Sequence, residues 1–189
     1  MPTKKKSSKS SIETSHESLE QRDWLDTEFM EKHEKRYSRA IGSFLIHFGI
    51  LEHSLDTAIA ELIDQTGHHM GYLIIKKLTM KQKIDLFYDL GNSMVKIIGK
   101  HPKRRINKLK KVNHGLCELN TLRNKIAHAK WGSLDRDGYV RVEIQIDEDD
   151  GFIKFKKYKI TPRMIGKAKT QIEKLSEKLD EIVENLYYF

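Results

Sequence analysis

Arg123-Asn124-Lys125-Ile126-Ala127-His128 places a guanidinium, a carboxamide and an imidazole within six residues. An imidazole takes up and releases a proton near neutral pH. A guanidinium holds a phosphate through two parallel hydrogen bonds. Those are two of the main parts needed to cleave RNA without a metal. The other chemistries a short motif can announce are missing. There is no His-Glu-x-x-His and no Cys-x-x-Cys for zinc, no Gly-x-x-x-x-Gly-Lys phosphate loop and no Gly-x-Gly-x-x-Gly dinucleotide turn. His47, His53, His101 and His114 have no ligand spacing, so neither a metal nor another cofactor is expected. Cys117, the single cysteine, excludes an internal disulfide and reads as a core or boundary residue.

The elements that must position the motif are helical. Tyr37, Ile41, Phe44, Phe48, Leu51, Leu55, Ile59 and Leu62 recur at three- and four-residue steps, which predicts a long helix from about Asp26 to Asp64, ended by Gly67. Thr79-Met80-Lys81-Gln82 matches a capping box and opens a second helix, closed by Gly99 and Pro102. A third starts near Pro102 or Lys103, packs through Leu109, Val112, Leu116, Leu119, Leu122 and Ile126, and ends at Trp131-Gly132-Ser133. Residues 139–146 and 152–160 alternate in the period of a strand around the acidic turn Asp147-Glu148-Asp149-Asp150-Gly151, which predicts a β-hairpin. Thr161-Pro162 then caps a last helix whose stripe runs from Ile165 to Leu186. The expected fold is mainly α, an up-down four-helix bundle with a β-hairpin inserted before the last helix.

Charge is uneven along the chain. The net +8 is outnumbered by two segments: Lys4, Lys5, Lys6 and Lys9 in a Ser-rich start, and eight basic residues from Lys96 to Lys111 with no acid among them. The rest is therefore acidic. Residues 1–20 read as a disordered basic tail and 24–189 as one domain. The basic run, with Lys103, Arg104, Arg105, Lys108 and Lys111 at its centre, leads along the third helix into the Arg-His motif and suggests a polyanionic partner, RNA. Its plainer reading is a solvated helix face. No apolar run is long enough to span a bilayer, and the start lacks the apolar segment of a secretory signal. A cytoplasmic protein without membrane partners is expected.

On a helix advancing about 100° per residue, Leu119, Leu122 and Ile126 share one stripe. Arg123 stands at its edge, about 40° from Leu119, whereas Asn124 and His128 fall about 140–180° away. One straight helix does not make Arg123 and His128 close neighbours. The Arg123 side chain must reach round, the helix must distort near its end, or a second copy must complete the site; two-fold homodimers make the last attractive. Glu52 is the obvious acid to pair with Arg123, or else a residue bordering the site.

Leu122-Arg-Asn-Lys-Ile-Ala-His-Ala-Lys-Trp resembles the Arg-x4–6-His signature of HEPN domains, with Asn124 as the polar residue that often follows the Arg. Phe48-Gly49-Ile50-Leu51-Glu52 resembles the aromatic-x2-Leu-Glu pattern found early in these domains. The similarity would span about residues 24–189. It implies a metal-independent endoribonuclease, usually dimeric, acting as a toxin or antiviral defence effector, with an antitoxin or regulatory protein as a further partner. The 2′-hydroxyl of RNA would attack its own phosphate and leave a 2′,3′-cyclic phosphate. His128 would be acid or base, Arg123 would stabilise phosphoryl charge, and Asn124 would orient one of them. Lys130 stands where some HEPN toxins carry a modifiable tyrosine, which puts that form of neutralisation in doubt. The alternative is a non-catalytic HEPN-like module that binds RNA or a protein.

Overall fold

The computed structural model describes residues 14–18, 27–64, 69–99, 101–146, 151 and 153–187. The expected tail before Thr14, the terminator Gly67 and the acidic turn 147–150 lie outside the described residues. In chain order the elements are β1 (Thr14–Ser18), α1 (Thr27–Ile63), α2 (His69–Ile75), α3 (Met80–Ile98), α4 (Pro102–His128), β2 (Tyr139–Ile146), β3 (Ile153–Lys159) and α5 (Pro162–Tyr187). The chain is mainly helical, with a small antiparallel sheet, and divides into two compact units.

The larger unit holds residues 36–127 and 162–189. Its core is the set of stripes read from the sequence. Phe44, Leu51, Leu55 and Ile59 of α1, Ile84 and Phe87 of α3, Leu109, Leu116 and Leu119 of α4, and Ile172 and Leu179 of α5 are all buried. Apolar area removed from water at helical spacing is what selects these helices over other local conformations. The α3 start is a complete capping box: Gln82 N–H donates to the Thr79 hydroxyl, and Thr79 N–H donates to Gln82 Oε1 at 2.8 Å. Its end is Gly99, left-handed at φ 70°, whose N–H donates to the Val95 carbonyl.

α2 is a fifth helix that periodicity did not predict. With seven residues it is too short to show a stripe, and it exists by docking on α1. A Cβ on Gly71 would stand 2.6 Å from Ala60 Cα, so the two backbones touch where only glycine fits. Gly71→Ala is expected to destabilise the chain by about 1–3 kcal/mol. A lowered thermal midpoint checks this; an unchanged midpoint would show that α2 docks loosely.

The smaller unit holds residues 1–35 and 128–161, and its sheet has the order β1-β3-β2. The expected hairpin is present, with Val140 opposite Tyr158 and Ile144 opposite Phe155. Strict alternation is not. A bulge between Arg141 and Glu143 shifts the register, and beyond it Ile144 and Ile146 are 58% and 69% exposed. β1 falls in the stretch whose composition predicts disorder. Its backbone pairs antiparallel with β3, Thr14 opposite Tyr158 through Ser18 opposite Lys154. Such pairing uses main-chain groups alone, so a polar segment can join a sheet that a composition argument cannot foresee. At the other margin, Asp135 Oδ1 accepts from the Asp137 and Tyr139 amides and Oδ2 accepts from Lys157, which fixes the turn into β2.

Candidate active site

α4 carries the whole Arg-Asn-His motif and remains helical through it, ending on His128. What stops it is capture by the sheet. Lys130 N–H donates to the Arg141 carbonyl at 2.8 Å, and a single 3-10 turn over Trp131–Ser133 follows. The Ser133 hydroxyl closes that turn on the Lys130 carbonyl and accepts from Arg141 N–H. His128 is exposed and is the last helical residue of α4.

Arg123 is half-buried. Its guanidinium carbon lies 5.9 Å from the centroid of the Phe48 ring, and Nη1 donates to Asn124 Oδ1 at 3.1 Å. The ring face attracts the cation, and the amide draws it away from the packed stripe. So Phe48 and Arg123, one from each of the two sequence stretches that carry the resemblance, meet in space. Among the described residues no carboxylate pairs with Arg123, and none forms an ion pair or hydrogen bond with His128. Asn124 is exposed. α4 is continuous over all three residues, and Arg123 and Asn124 converge within it.

Glu52 is committed elsewhere. Its Oε1 accepts from Lys83 Nζ at 2.9 Å, and both carboxylate oxygens of Asp56 stand 2.9 Å from the same ammonium. Lys83 is 6% exposed. Burial works against its charge, and the hydrogen bonds to Asp56 and Glu52 more than offset that, so its pKa is raised above the ordinary 10.5. This α1–α3 clamp was not read from the sequence. A lysine one position before a core isoleucine, facing acids at 52 and 56 four residues apart, is the signal that was there.

The basic residues occupy the other end of α4. Lys103, Arg104 and Lys111 are exposed and Arg105 is half-buried. Lys108 donates to Glu181 of α5 at 2.6 Å and holds that carboxyl below its usual range. From Arg104 to His128 the helix rises about 36 Å at 1.5 Å per residue. The facing ends of the basic run and the motif, Lys111 and Arg123, are closer, about 18 Å along the same helix. The cation nearest His128 along the chain is Lys130, exposed and 5.0 Å from the Phe155 ring centroid, which charge counting passed over.

No helix of the described residues is long and apolar enough to cross a membrane. A scan against protein-family models and searches among curated proteins and solved structures return no match.

Proposed function

We propose that the chain is a HEPN-type, metal-independent endoribonuclease that works as a two-fold homodimer. The carrying observation is that Arg123, Asn124 and His128 share the final turns of one helix, with Arg123 steadied by Phe48 and Asn124 rather than neutralised by an acid. On this reading α1, α3, α4 and α5 form the up-down four-helix bundle, and α2 and the sheet are additions to it. A second copy brings its own motif to the same phosphate, because the helix phase keeps one chain's His128 and Arg123 apart.

In the reaction the 2′-oxygen of RNA bonds to the adjacent phosphorus and the bond to the 5′-oxygen breaks. One imidazole accepts the 2′-hydroxyl proton, and an imidazolium returns a proton to the leaving 5′-oxygen. Arg123 holds the non-bridging oxygens as charge develops, and Asn124 keeps the guanidinium aimed. The products are a 2′,3′-cyclic phosphate and a 5′-hydroxyl. Such an enzyme suits a toxin or an antiviral effector held in check by a partner protein.

The test is cleavage of end-labelled RNA in EDTA, with an all-deoxy strand as control. The expected result is cyclic-phosphate ends from RNA and intact DNA. Inhibition by EDTA that added metal reverses would overturn the mechanism.

The separation of the basic end of α4 from the motif favours a second reading, a module that binds RNA without cutting it. Both readings expect the basic end to grip backbone phosphates. Neutralising Lys103, Arg104, Arg105 and Lys108 together should weaken RNA binding and flatten its dependence on salt, by about 0.7 in log–log slope for each single-strand phosphate that is no longer neutralised. Lys108, already paired with Glu181, should contribute less than Lys103. Filter binding across a salt series measures this, and an unchanged slope would make the patch a solvated surface.

A further inference from the structure

A cavity of about 410 Å³ opens at the end of the larger unit where α3 finishes, α4 begins and α5 finishes. Its floor is aliphatic: Val95 of α3, Leu109 of α4, and Ile182 and Leu186 of α5. Among the described residues no Phe, Tyr or Trp lines it. Arg104, Arg105, Lys108 and His101 stand around it, so cationic side chains surround an apolar hollow. Lys108 is engaged by Glu181, and Arg104 and Arg105 line the cavity beside that pair.

His101 is held there at a conformational cost. Its φ is 47°, the only left-handed value among the described residues other than glycine. Histidine visits that region sparingly, and such residues cluster where a ligand site constrains the chain. Its carbonyl accepts from the Arg104 and Arg105 amides, so the same residue that lines the cavity starts α4 and sets both arginines on its first turn.

We infer that this cavity binds a small amphipathic anion, an aliphatic body with one carboxylate or phosphate head. The size suits a compact organic ligand, and convergent polar groups over an apolar floor are the usual form of such sites. The floor offers burial for methylene groups. Among the described residues its lining holds no Phe, Tyr or Trp ring on which a nucleobase could stack, so AMP serves as the contrasting ligand. Arg104 and Arg105 both line the cavity, and a guanidinium can hold either head group with two parallel hydrogen bonds. This site is independent of the Arg-Asn-His motif at the opposite end of α4.

Titration calorimetry of the full chain decides it, using decanoate, decyl phosphate, decanol, inorganic phosphate and AMP, with each amphiphile below its micelle concentration. One equivalent of decanoate or decyl phosphate should bind, and the tighter of the two names the head group. Decanol and inorganic phosphate should each bind at least about tenfold more weakly, since each lacks one half of the recognition. Arg104→Ala with Arg105→Ala should cost the better amphiphile about tenfold and leave decanol unchanged. Ile182→Trp, which fills the floor, should remove binding. Should that variant lose its helical circular dichroism, the arginine pair alone decides. No saturable binding of either anion, AMP binding more tightly than both, or an unaltered affinity in the arginine variant would overturn the assignment.

Discussion

His128→Ala should lower RNA cleavage by about 10²–10⁴-fold while the chain keeps its helical content and thermal midpoint. On the proposed reading this imidazole transfers the proton, and the residue is exposed on the last turn of α4, where a surface substitution changes stability by about 0.5 kcal/mol or less. Arg123→Lys should fail almost as badly. An ammonium keeps the charge, but it cannot donate in parallel to a phosphate while also bonding Asn124 Oδ1 and lying on the Phe48 ring. Asn124→Ala should fall between these and the parent, because Phe48 still supports the guanidinium when the amide is gone. Phe48→Leu offers the reciprocal check, keeping apolar bulk while removing the ring face; it should reduce turnover more than it alters RNA affinity. Single-turnover rates on one labelled RNA measure all four. Full activity in His128→Ala would remove the catalytic reading and leave the binding module.

Lys83→Met should destabilise the chain by about 3 kcal/mol. The methionine fills the same volume but leaves Glu52 and Asp56 facing each other with no cation between them. The figure is at the low end for breaking a buried pair, because Glu52 keeps part of its carboxylate in water. Urea unfolding gives the measurement. Adding Glu52→Gln and Asp56→Asn to Lys83→Met should recover part of the loss, since the uncompensated charges are then gone. The pH dependence has a definite sign. The folded pKa of Lys83 is raised, so its contribution is complete below the ordinary 10.5 and is lost as pH climbs above that value through the folded pKa. On the alkaline side of neutrality, parent and Lys83→Met should therefore approach each other in stability only in strong alkali. A difference that disappears already at neutral pH would contradict the clamp.

The helices were legible because each buries a stripe. Phe44 to Ile59, Leu109 to Ile126 and Ile165 to Leu186 repeat often enough to fix both the element and the face that packs, and the Thr79–Gln82 box fixed a start to the residue. The motif was legible as three residue types on the last turns of one helix, and α4 does run through all of them. Three things were hidden. α2 is held by the close approach of Gly71 to Ala60, a meeting of segments that no local pattern records. The role of Glu52 depended on Lys83, thirty-one residues later, rather than on the more conspicuous Arg123. The basic run gave its charges but not the engagement of Lys108 by Glu181, seventy-three residues later.

β1 has a consequence for the sheet it completes. β3 reads Ile-Lys-Phe-Lys-Lys-Tyr-Lys, and with β2 on one side and Thr14–Ser18 on the other its main-chain donors and acceptors are taken up along both margins. Loss of the first eighteen residues by proteolysis would turn that central strand into an open margin with Phe155 and Tyr158 upon it, a surface on which chains can add to one another. Four lysines along the strand would then be the remaining defence, repelling an identical neighbour by charge. A segment that looks dispensable from its composition thus protects the protein from its own copies.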